Sequence, residues 1–161
     1  MNTVQKQERR DKQNIEIRKL VDDAVKICNT YFNEGYQYSS QEAMEELGID
    51  DELIEELVED YVAQIIKDII QLEEMLYAFQ AKVDAKEELD YVEFRELAHK
   101  NLGVARNLRI KDAVVLLGEL MKKDDLEYLF GCLETLRACA IRLKPVYAYK
   151  TIKIIEVKNT F

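Results

Sequence analysis

The chain holds a single histidine, His99, in the segment ELAHKNLGVARN that runs from Glu96 to Asn107. Three chemistries can be asked of it. Glu96 and His99 form a Glu-x-x-His, the spacing by which one helical turn presents a carboxylate and an imidazole to the same ion in di-iron bundles. That centre needs a second inward-facing Glu-x-x-His, and the chain has no second histidine. A hydrolytic site needs a nucleophile and an orienting acid gathered around the imidazole in a cleft, which an outward-facing histidine on a helical bundle lacks. The third chemistry is nucleophilic. Imidazole side chains have a reference pKa near 6.5, so at neutral pH a large share present an unprotonated nitrogen that can accept a transferred group.

Helical geometry gives the direction in which this side chain points. At about 100° per residue, Phe94, Leu97, Val104, Ala105 and Leu108 fall roughly 120° to 180° from His99, which puts the expected core on the opposite side. Arg95, Glu96, Gly103 and Arg106 project within about 60° of it and form a charged, exposed strip. Position alone would make His99 a solvated surface residue. Gly103 argues otherwise, because a mid-helix glycine costs about 1 kcal/mol relative to alanine and invites a close approach to the backbone.

Cys28, Cys132 and Cys139 give an odd count with no CxxC spacing. This speaks against both a disulfide framework and a zinc site, and leaves them as small core hydrophobes. The net charge of -9 works against nucleic-acid binding. No apolar run approaches the roughly 20 residues of a membrane span, and the first residues lack the apolar stretch of a secretory signal. The expected setting is cytoplasmic, with proteins as partners.

The elements that must position His99 follow from composition and periodicity. One proline and five glycines in 161 residues point to long helices with short connections in one domain. Residues 1–12 are polar and unpatterned and are expected to be a disordered arm. An apolar stripe through Ile17, Leu20, Val21, Ala24, Val25, Cys28, Tyr31 and Phe32 predicts an amphipathic helix over 13–35, stopped near Gly35. A capping box at Ser39 and Glu42 opens a short helix that ends at Gly48. A long helix follows from Asp50 to about Lys82, carried by a stripe from Leu53 to Phe79. Asp90 with Glu93 caps the His99 helix, which runs to about Arg109; KDAVVLLGELM forms the next helix. Asp124 with Glu127 opens another, which Pro145 ends. The tail 146–161 is rich in β-branched and aromatic residues and reads locally as a strand without a partner, so an extended arm and a last helix both remain open. The expected fold is all-α: an antiparallel four-helix bundle over 36–145 with an added N-terminal helix and a C-terminal tail.

This order of elements resembles the histidine-containing phosphotransfer (HPt) family of bacterial multistep phosphorelays, over about residues 37–144. LGIDDELIEELVEDYV resembles the family's opening, FRELAHKNLG with VARNLRIKDAVVLLGEL its active-site helix and the next, and KKDDLEYLFGCLETL the connection into its last helix. The family pattern of histidine, lysine three residues on and glycine four on falls here on His99, Leu102 and Gly103. The lysine is replaced.

The resemblance implies that His99 takes a phosphoryl group from an aspartyl phosphate on a response-regulator receiver domain and returns it to another. The chain would then be a carrier rather than an ATP-using kinase, without cofactor or metal of its own, and a hybrid histidine kinase is a further candidate partner. No GxxxxGK[ST] phosphate loop is present, in keeping with this. Gly103 would give the partner room, while Lys100, Arg95 and Arg106 would stand in for the lysine toward the phosphate. Leu102, exposed at the lysine's place, would give a docking helix an apolar contact; packing in part against the neighbouring helix is the equal alternative. The alternative is an HPt-like interaction module that binds a receiver or kinase without phosphotransfer. The N-terminal helix can pack on its own bundle or pair two copies into a homo-oligomer, and the sequence leaves that choice open.

Overall fold

The computed structural model describes residues 2–32 and 37–160. Those residues form seven helices and no strand: α1 (Thr3–Tyr31), α2 (Gln41–Leu47), α3 (Asp51–Asp84), α4 (Val92–Asn107), α5 (Lys111–Lys122), α6 (Leu126–Leu143) and α7 (Pro145–Thr160). The fold is therefore all-α, and none of the described helices is long and apolar enough to cross a membrane.

The 34 residues of α3 form a rod about 51 Å long. Asp50 starts it by accepting a hydrogen bond from the Leu53 amide at 2.9 Å. Ile54, Val58, Tyr61, Ile65, Ile69, Leu72 and Leu76 recur three or four residues apart and are all buried. Helices α4, α6 and α7 pack against this rod, while α5 bridges α4 and α6. Helix α6 touches α1, α3, α5 and α7, which explains why Leu129, Cys132, Leu133, Leu136, Cys139 and Ala140 are buried around so much of its circumference.

At the ends of the chain one expectation changes and one open choice closes. Residues 3–12, expected to be disordered, are the first turns of α1, with Asn2 and Gln5 closing a capping box. This stretch is exposed, so it carries no apolar stripe; its Gln, Lys, Glu and Arg residues are good helix formers in their own right. The anticipated stop at Gly35 lies outside the described residues. The tail is a helix rather than an arm. Pro145 ends α6 and also begins α7, because its fixed φ suits a first helical position. Ala148, Tyr149 and Thr151 are buried there, so packing on α1, α3 and α6 overrides the local β preference.

Caps shift by a residue. Asp125, rather than Asp124, caps α6 by accepting from the Tyr128 amide at 3.2 Å. Asp90 accepts from the Val92 amide at 3.0 Å while Tyr91 occupies the N-cap of α4. Gly48 ends α2 with φ of +68°, a left-handed conformation that glycine adopts without penalty.

Candidate functional site

The site is built on α4. Phe94, Ala98, Asn101, Leu102, Ala105 and the following Leu108 are buried. Around the helix these positions span an arc centred about 120° from His99, rather than directly opposite it. Glu93, Glu96, Lys100, Gly103, Arg106 and Asn107 are exposed with His99, and so is Val104, which was expected in the core. His99 thus stands on the solvent side of α4, near one edge of the exposed arc.

Leu102 is the main departure. It is only 4% exposed, and it marks the border of the core some 60° from His99. Of the two readings of Leu102, the structure has the packed one, and the exposed docking contact is corrected. An apolar side chain at that edge gains more by packing inward than by facing water, and the buried arc reaches one position further round than the stripe of Phe94, Leu97 and Ala105 indicated.

The cations separate by environment. Lys100 and Arg106 are exposed on either side of the His99 direction, and neither forms an ion pair among the described residues. Arg95 is half-buried, and its guanidinium carbon lies 4.9 Å from the centre of the Tyr91 ring. The Tyr91 hydroxyl donates to the Asp124 carbonyl at 3.2 Å, and burial pushes its pKa up. Arg95 is thereby engaged in packing the start of α4, leaving Lys100 and Arg106 as the exposed cations beside His99.

A methyl group placed on Gly103 would meet nothing within 4 Å. The fold does not require a glycine there, and the surface beside His99 is open.

What fixes the rotation of α4 is a buried polar network that composition and periodicity do not reveal. Asn101 is 2% exposed and donates through Nδ2 to Asp68 Oδ2 at 2.9 Å and to the Leu97 carbonyl at 3.0 Å. Asp68, 5% exposed on α3, also accepts from Gln64 Nε2 at 2.9 Å. A carboxylate buried among isoleucines is costly unless its oxygens are occupied, so Asp68 selects the register in which Asn101 faces inward. His99, two residues earlier, then faces out. An asparagine inside a helix, at the angle of Leu97 and Leu108, was the one available signal.

At the far end of α4, Arg109 has φ of +59° and turns the chain into α5. It pairs with Glu42 at 3.7 Å and with Glu46, and Tyr38 Oη donates to the Leu108 carbonyl at 2.7 Å. These contacts hold α2 and its flanking segment against the α4–α5 corner, away from the exposed arc. Among the described residues no three His, Cys, Asp or Glu side chains gather as metal ligands, and Glu96 and His99 share a face that points to solvent. No family model, curated protein or solved structure matches the chain.

Proposed function

We propose that this chain is a cytoplasmic histidine phosphotransfer protein in which α3–α6 act as an HPt-like four-helix bundle. In this reading His99 carries a phosphoryl group between response-regulator receiver domains. The observation that carries it is the pairing of an outward imidazole with Gly103, a residue the fold itself leaves unexplained. The unprotonated ring nitrogen attacks the phosphorus of a receiver aspartyl phosphate. The acyl P–O bond breaks as the N–P bond forms, the carboxylate leaves, and the ring keeps its one proton on the other nitrogen as a phosphoimidazolium. Return to a second receiver reverses these steps. Exposure of the imidazole supplies the in-line approach, and Lys100 and Arg106 are placed to balance charge on the phosphoryl oxygens.

Incubation with a receiver domain charged on its aspartate tests this. Label that moves to the wild-type chain and not to His99→Gln supports it, with slower transfer in Lys100→Ala and Arg106→Ala. A second reading draws on the burial of Leu102, which leaves the lysine position of the HPt pattern without a charge: the same face binds a receiver or kinase and does no chemistry. Receiver binding that survives His99→Gln, with no label taken up by the wild type, would select that reading.

A further inference from the structure

Two of the three cysteines meet although 111 positions separate them in the chain. Cys28 of α1 and Cys139 of α6 have their sulfurs 3.7 Å apart, and both side chains are buried, at 0% and 5% exposure. Cys132, one heptad earlier on α6, is equally buried and makes no such sulfur contact among the described residues. We propose that Cys28 and Cys139 form a reversible disulfide, so that this pair is an oxidation site for small peroxides that ties α1 to the helical core. The proposal is independent of the phosphotransfer reading.

Access and reactivity both support it. Cys139 lines a cleft of about 420 Å³ together with Tyr38, Asp112, Arg142 and Lys144, wide enough to admit a molecule the size of hydrogen peroxide beside this residue. Behind it, Cys28 has its thiol lowered to about 7, chiefly by the hydrogen bond from Cys139 and further by Arg142. Cys139 is pushed up by that same bond, by burial and by Asp112. The pair therefore shares one proton, which sits on Cys139 while Cys28 becomes the thiolate. The thiol of Cys132 is pushed up chiefly by burial and also by Glu119, against a hydrogen bond with Tyr128, so the two α6 cysteines differ in their neighbours.

The chemistry balances with a peroxide as oxidant. The proton shared along the 3.7 Å contact passes to Cys28, the Cys139 thiolate so formed attacks one peroxide oxygen, and the O–O bond breaks; the departing hydroxide takes the proton back from Cys28 and leaves as water, giving a sulfenic acid on Cys139 beside a Cys28 thiolate. The Cys28 thiolate then attacks that sulfur, and the S–O bond breaks as hydroxide departs and is protonated. The two thiols lose two electrons and the peroxide is reduced to two waters. Bonding requires the sulfurs to close to about 2.05 Å, a displacement shared between two side chains on adjacent helices.

Trypsin places the three cysteines in separate peptides, 27–67, 124–137 and 138–142, so the test is direct. The full-length chain is treated with hydrogen peroxide, alkylated, digested and analysed by mass spectrometry. The expected result is a linked 27–67/138–142 species that dithiothreitol releases, while 124–137 is recovered alkylated. Cys132→Ser should form the same link, and Cys139→Ser should not. Full alkylation of both peptides after oxidation, or linkage through 124–137 instead, would overturn the proposal. Because Cys132→Ser changes neither member of the pair, it keeps the test valid if Cys139→Ser folds poorly.

Discussion

Gly103→Ala separates what the fold needs at this position from what a partner needs. Gly103 lies inside α4, its backbone is ordinary helix, and a methyl group there meets nothing within 4 Å. The replacement should therefore recover most of the helix-propensity difference, about 0.8–1.0 kcal/mol. For a chain of this size that is a rise of roughly 2–4 °C in Tm. If a receiver domain packs against the backbone beside His99, the same methyl group is an intrusion into a packed contact. Such overpacking costs about 1–3 kcal/mol, or roughly 5- to 150-fold in transfer rate. Gly131→Ala on α6 is the control, since it is also exposed with nothing within 4 Å and should raise stability without touching transfer. Thermal unfolding followed by circular dichroism, beside initial rates of label uptake, reads both quantities. A Gly103→Ala chain that transfers at the wild-type rate would refute the idea that the glycine makes room for a partner. Loss of stability would refute the placement of the glycine in open space.

Other consequences follow from the interior of the site. Asn101→Ala removes two hydrogen bonds and leaves one Asp68 oxygen buried without its partner, which should cost about 2–4 kcal/mol in urea unfolding. Replacing both residues, as Asp68→Leu with Asn101→Leu, should be close to neutral, since Gln64 is exposed and can turn to water; a double variant as unstable as Asn101→Ala would contradict the network. Leu102→Lys, which restores the lysine of the HPt pattern, should destabilise the chain by about 2 kcal/mol or more and leave transfer no faster, because that position faces the core. Formation of the Cys28–Cys139 link should accelerate as pH rises through about 7, where Cys28 ionises beside Arg142, Asp112 and Cys139. An acceleration only above about pH 8.5, the range of an ordinary thiol, would show that Cys28 is not activated.

The readable parts of the chain were those governed by local periodicity. Most of the stripe from Leu53 to Phe79, the stop at Gly48, the break at Pro145 and the direction of His99 depend on features of a single helix, and the structure has them, although Leu53 and Leu57 of that stripe are exposed. Features that depend on what lies across the core were hidden. Leu102 and Val104 sit at the two borders of the α4 stripe, where about 100° per residue leaves the direction undecided until α3 and α5 are in place. The tail has the residues of a strand and becomes a helix because α1, α3 and α6 offer a surface for Ala148 and Tyr149. The first turns of α1 have no buried side to announce them. Asp68 with Asn101, and Cys28 with Cys139, are contacts between distant residues, for which a single sequence carries no pattern.

The most direct test is to find the phosphate. The chain should be incubated with an aspartate-charged receiver domain and digested at alkaline pH, where an N–P bond persists, and the phosphorylated peptide should be located by mass spectrometry. Phosphate is expected on His99, stable to base and lost in acid, and absent from His99→Gln. Phosphate on any other residue, or an unmodified His99 peptide alongside a receiver that has lost its charge to other acceptors, would contradict it.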